Sequence, residues 1–245
     1  MRDVTICLPY YENRSMFKRQ CDNIRLLPAA IKQRLNLIVV DDGSQDFPVE
    51  PPDPPLGIRS FKLFKMLVDV PWNQDACRNL AVSQSDGGWL LLTDMDHIPP
   101  AKTLRHVVFD QLDEDLVYQF TRVSEPEMEP YKPHPNSWLM TAVMYDKVGG
   151  YDERFAYVAQ EQGWKDGVYG TDGKFRNQVE AVTKIKRFKA PLIRVPREVT
   201  PDASTTRYER RTSNMDARRT FVREYIKQSG HRQPMRGLFP WARVV

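Results

Sequence analysis

Two acidic clusters carry the clearest chemistry in the chain. Asp41-Asp42 follows the apolar run Leu37-Ile38-Val39-Val40, and Asp94-Met95-Asp96 follows Trp89-Leu90-Leu91-Leu92-Thr93. Continuous apolar runs of this kind form strands buried on both faces of a parallel sheet. Ligands of open α/β sheets bind beyond the carboxyl ends of such strands, so both clusters should project into one crevice. Two carboxylates two residues apart suit a hard divalent cation, Mn2+ or Mg2+, and the anionic group that it neutralises. Aspartate also caps turns routinely, but two clusters at successive strand ends favour a site. His97, beside Asp96, is a candidate further metal ligand.

What is missing narrows the chemistry. There is no GxGxxG or GxxxxGK[ST] phosphate cradle, which disfavours a dinucleotide site and a P-loop. A bound nucleotide diphosphate would need the metal and side chains such as Arg78. No GxSxG elbow is present either, so serine hydrolase chemistry is set aside.

The crevice needs a scaffold. Val4 to Leu8 reads as a strand stopped by Pro9, Ser15 to Leu27 as an amphipathic helix, Ile58 to Val70 as a third strand and its exit, and Asn73 to Ser83 as a helix. This alternation predicts an α/β protein with a mostly parallel sheet flanked by helices. Residues 48–55, Pro-Val-Glu-Pro-Pro-Asp-Pro-Pro, must form a surface loop. Beyond Leu116 the rhythm changes. Strands are expected over 116–123 and 138–144, a turn at Gly149-Gly150-Tyr151-Asp152, a mobile loop over 159–173, and helices over 173–182 and 206–228.

With 41% hydrophobic and 28% charged residues, the composition is that of a soluble globular protein. No apolar stretch approaches the roughly 18 residues of a membrane span. Cys7, Cys21 and Cys77 form no CxxC pair and fit buried thiols in a cytoplasmic protein. The net charge of +4 divides unevenly, −8 over residues 1–172 and +12 over 173–245. A basic segment on an acidic body suits a polyanionic partner, or simply packs against that body.

Six segments in order resemble the family 2 glycosyltransferases of GT-A fold. They are Val4-Thr5-Ile6-Cys7-Leu8-Pro9-Tyr10-Tyr11-Glu12, Val39-Val40-Asp41-Asp42-Gly43-Ser44, Ala76-Cys77-Arg78-Asn79-Leu80-Ala81, Asp94-Met95-Asp96, Gly149-Gly150-Tyr151-Asp152-Glu153-Arg154-Phe155 and Tyr169-Gly170-Thr171-Asp172-Gly173-Lys174-Phe175. The resemblance covers most of residues 1–180. It implies one GT-A (Rossmann-like) domain, with a nucleotide-sugar-binding half over 1–97, an acceptor half over 98–190 and a basic extension over 191–245.

The resemblance also implies roles. Pro9, Tyr11 and Glu12 would border the nucleobase, and Asp41 would accept a hydrogen bond from it, uracil being favoured, with Asp42 alongside. Arg78 would approach the nucleotide and Asn79 would support that turn. Asp96 would ligate the metal, with Asp94 directed to it and to the sugar. Asp172 would be the base of an inverting transfer, and Trp164, Thr171 and Arg176 would meet the acceptor.

Two departures stand out. The usual Glu-Asp pair is Thr171-Asp172 here, and no histidine lies between Arg194 and Arg207 to serve as a third metal ligand. Asp202, His97 or water would have to serve, while His106, His134 and His231 read as surface or packing residues. The acceptor is a hydroxyl. Arginines 207, 210, 211, 218, 219 and 223 point to nucleic acid bearing hydroxymethylated pyrimidines, or to an anionic saccharide. A nucleotidyltransferase and a non-catalytic carbohydrate- or nucleic-acid-binding module are the alternatives.

Overall fold

The computed structural model describes residues 1–70, 72–163, 170–196 and 236–245, together with 220, 221, 223–225, 227, 228 and 234. In chain order the elements are β1 (Val4–Tyr10), α1 (Arg14–Arg25), α2 (Ala29–Lys32), β2 (Leu35–Asp41), β3 (Ser60–Met66), α3 (Gln74–Ser83), β4 (Trp89–Leu92) and β5 (His97–Ile98). There follow α4 (Ala101–Phe109), β6 (Val117–Gln119), β7 (Arg122–Ser124), β8 (Glu129–Tyr131), β9 (Trp138–Thr141), α5 (Ala142–Val148), α6 (Arg154–Glu161), α7 (Thr171–Val182), β10 (Ile185–Arg187), β11 (Leu192–Arg194) and β12 (Trp241–Arg243).

Eight strands form the main sheet in the order β10-β6-β9-β4-β1-β2-β3-β12. β4, β1, β2 and β3 are parallel, and β9 and β12 run against their neighbours. Alternation along each buried strand divides the core in two. Val4, Ile6, Leu8, Leu37, Val39 and Leu91 pack on one face with residues of α1, α2 and α4. Cys7, Ile38, Val40, Leu90 and Leu92 pack on the other with residues of α3, α5 and α7. A second sheet, β5-β11-β7-β8, stands beside the end of β4.

The strand order reverses beside β1, which lies between β2 and β4. β4 pairs with β1 only through Cys7, so Pro9, which lacks an N–H, falls where that ladder has ended. The crevice opens at this switch point.

The C-terminal half departs from expectation in its boundaries. The strand expected over 116–123 splits into β6 and β7, which join different sheets. β9 ends at Thr141, because the Thr141 hydroxyl accepts from Met144 N at 3.1 Å and starts α5. α6 and α7 take the two ends of the expected 159–173 loop, at 159–161 and 171–173, and positions 164–169 lie outside the described residues. Of the helix expected over 206–228, the described positions 220, 221, 223–225, 227 and 228 are helical. Among the described residues, no helix is long and apolar enough to cross a membrane.

Glycine is required at the turn after α5. Gly150 has φ +74°, and a Cβ there would meet Asn79 Oδ1 and Arg236 Cδ at 2.9 Å. Gly150→Ala is therefore expected to cost about 1–3 kcal/mol, read by urea unfolding. An unchanged midpoint would contradict this packing.

Candidate active site

The end of β2 is built around carboxylates that hold backbone. Asp41 accepts from Ser44 N at 2.8 Å through one oxygen and from Val49 N at 3.0 Å through the other. It is 1% exposed. Burial pushes its carboxyl above the usual range, against the lowering effect of the Ser44 and Val49 bonds. Asp42 accepts from Asn73 N at 3.1 Å, tying β2 to the start of α3.

Glu12 sits at φ +45° and accepts from Gln45 N, Asp46 N and Phe47 N. Consecutive amides of this kind form an anion nest, and Glu12 fills it. Asp41 and Glu12 thus both shape the loop over residues 44–49. Tyr11, partly exposed, has its hydroxyl 3.4 Å from Asp69. Pro9 is buried in β1.

Arg78 crosses the crevice floor. Its guanidinium bonds Asp94 Oδ1, Gln74 Oε1 at 3.0 Å and, more distantly, Asp75 at 3.8 Å, and it lies 5.2 Å from the Tyr151 ring centroid. It is 1% exposed. Burial opposes its charge, but Asp94, Tyr151 and Asp75 together more than offset that and raise its pKa. Asn79 is saturated by protein. Its amide donates to Tyr151 O and Glu153 Oε1 and accepts from Tyr145 OH and Tyr151 N, all within 2.9 Å. Asn79 thereby braces the turn after α5.

Around Asp94 and Asp96 the structure gathers residues from distant segments. His134 Nε2 lies 3.2 Å from Asp94 Oδ2, and its Nδ1 lies 3.0 Å from Ser137 Oγ. Burial lowers the His134 pKa, although Asp94 opposes this. Burial also disfavours the Asp94 carboxylate, but Arg78 and His134 more than offset it and hold the carboxyl well below its usual range.

His97 stacks on His134, with centroids 4.1 Å apart. Its Nε2 is 2.8 Å from Arg122 and its Nδ1 is 2.7 Å from Asp96 Oδ1. A guanidinium only donates, so Nε2 accepts and the proton on Nδ1 goes to Asp96. With both nitrogens engaged, His97 orients Asp96. Gln20, 1% exposed, donates to Met95 O and His97 O and so braces the loop that carries Asp96.

Among the described residues, no three His, Cys, Asp or Glu side chains are already gathered as a metal cage. The donor types still fit Mn2+ or Mg2+. Asp96 and Asp94 supply hard oxygens, and Asp96 is one-third exposed. Asp202 lies outside the described residues.

Asp172 stands in the first turn of α7, partly exposed, where an acid also suits the helix dipole. Thr171 Oγ1 donates to Asp75 Oδ1 at 3.4 Å, joining α7 to α3. Arg176 is exposed and pairs with Glu180 at 2.8 Å. Asp152 is held by Arg154 and Lys174. Trp164 and arginines 207, 210, 211, 218 and 219 lie outside the described residues, and Arg223 is exposed. His134, read from the sequence as a surface or packing residue, instead contacts Asp94 and stacks on His97. Gln20, Arg122 and Asp75 were not singled out from sequence, and only Asp75, an acid in the first turn of the Arg78 helix, carried a local signal that could have found it.

Asp75 yields a pH prediction. Burial raises its carboxyl to about 7, with Arg78 opposing and Asp172 adding. A carboxyl raised on folding gives stability that is whole below its unfolded value, near about 4, and lost as pH rises to about 7. Asp75→Asn should therefore gain on the wild type in thermal melts across that window. A constant difference at all pH values would contradict the assignment.

Comparison with known proteins identifies relatives. The family model for glycosyl transferase family 2 matches residues 5–176. No curated protein matches the sequence. Among solved structures, S. aureus TarS residues 1–349 align with TM-score 0.57 at 14% identity, over 94% of this chain and 72% of that one. The same fragment in complex with UDP-GlcNAc gives 0.55 at 13% identity, over 94% and 72%. Mannosyltransferase PcManGT from Pyrobaculum calidifontis, in complex with GDP-Man and Mn2+, gives 0.52 at 15% identity, over 80% and 57%. At such identities the structural likeness establishes the GT-A fold.

Proposed function

The chain belongs to glycosyl transferase family 2, and from that membership we propose an inverting, metal-dependent transfer of a sugar from a UDP-sugar to an acceptor hydroxyl. The observation that carries the reading is the pair Asp94 and Asp96 at the end of β4, with Asp172 across the crevice on a helix bonded to the Arg78 helix through Thr171 and Asp75. Donors bound by relatives of the same fold, UDP-GlcNAc and GDP-Man, support a nucleotide sugar.

In this reading Tyr11 packs on the base, in front of the loop that Asp41 and Glu12 shape. Asp96 and Asp94 would hold a divalent cation such as Mn2+ or Mg2+, which when bound would supply positive charge against the departing diphosphate. Arg78 keeps Asp94 ionised and in place. Asp172 accepts the acceptor's proton as its oxygen bonds the anomeric carbon and the bond to the diphosphate breaks. Attack from the face opposite the leaving group inverts the anomeric centre. Thr171 and Arg176 stand next to Asp172 on the acceptor side, and Trp164 is assigned there from the sequence. Three buried free thiols support a reducing, cytoplasmic location.

A screen of nucleotide sugars for release of nucleoside diphosphate, with and without hydroxyl acceptors, identifies the donor. With that donor, Asp172→Asn is expected to lower kcat by about a hundredfold to ten-thousandfold while UDP affinity holds. Wild-type turnover by this variant would place the base elsewhere.

A further inference from the structure

A depression of about 730 Å³ lies between α7, β10 and the loop before β9, lined by Gln119, Pro133, Pro135, Arg176, Lys184 and Arg187 among others. Both walls are tied to the proposed chemistry. The loop wall carries His134, which contacts Asp94. The helix wall is α7, and Arg176 follows Asp172 by four residues, about one turn. A chain whose terminal hydroxyl reached Asp172 would therefore run along this depression.

Its charge opposes that of the body. Residues 1–172 carry −8, and the sign reverses in the segment that supplies Arg176, Lys184 and Arg187. Glu180, the acid in the lining, is already paired with Arg176. Lys184 and Arg187 have no acidic partner among the described residues, whereas nearby Lys189 pairs with Asp110. Lysine and arginine are the usual phosphate-binding side chains, and a positive groove on a negative body concentrates anions where they must react.

Its size separates two kinds of polyanion. A module that binds duplex DNA buries roughly 600–1,000 Å² or more of protein. A recess of this volume falls in the range that encloses a small ligand or a few linked units.

We propose that this depression is the acceptor subsite and that it takes a saccharide or polyol chain bearing phosphate groups. The assignment rests on the glycosyltransferase reading above and adds the acceptor's chemical class.

The test measures binding of three probes to the full chain: a short glycerol-phosphate oligomer, a neutral gluco-oligosaccharide of equal length and a short DNA duplex. The wild type should bind the oligomer at least tenfold more tightly than either of the others. The double variant K184Q/R187Q should lose about tenfold for the oligomer, with a shallower salt dependence and an unchanged unfolding midpoint. Equal binding of the neutral chain, or an unaltered double variant, would overturn the subsite. Tighter binding of duplex, lost in the variant, would overturn it in favour of nucleic acid. Failure of the underlying reading shows separately, as no binding of UDP with Mn2+ by the wild type.

Discussion

The site depends on one buried ion pair, Arg78 with Asp94. A guanidinium that is 1% exposed keeps its charge, so removing its acidic partner leaves a buried, uncompensated ion at a cost of about 3–5 kcal/mol. The pair pins α3 to the end of β4. On its other oxygen Asp94 meets His134 from the loop before β9. One carboxylate thus joins α3 to the loop before β9.

The secondary sheet serves the same end. β7 presents Arg122 to His97, and His97 in turn donates to Asp96. Gln20 of α1 holds the carbonyls on either side of Asp96. On the opposite wall, Asn79 and Glu153 bind the turn after α5, and Glu153 also accepts from Gly237 N and Leu238 N of the C-terminal segment. Such outer partners fix the direction of a carboxylate that must meet a cation or a diphosphate. They also explain why the crevice tolerates several acids close together, since each has a donor that holds it.

The acidic clusters and the strands that carry them were legible because β1, β2 and β4 are continuous apolar runs, a pattern that only a doubly covered parallel sheet produces. The order of short motifs pointed to the family and to Asp172. His134 was not legible. It lies forty positions from Asp94, flanked by prolines, and no local period links the two. Glu12 and Asp41 were not legible as loop anchors, because the amides they bind are brought to them by the backbone path over residues 44–49 and not by residue type. The boundary between β9 and α5 depends on the Thr141 cap, one hydroxyl in an otherwise strand-like run. Long-range polar contacts and caps were thus the parts hidden from a sequence.

The central claim is that Asp94 and Asp96 form the diphosphate end of a nucleotide-sugar site, which two ionised carboxylates can do only with a cation between them and the ligand. Calorimetric titration of the full chain with UDP, in Mn2+ and again in EDTA, tests this most directly. The account predicts binding in Mn2+ that weakens by tenfold or more in EDTA. Equal affinity in the two conditions would contradict it.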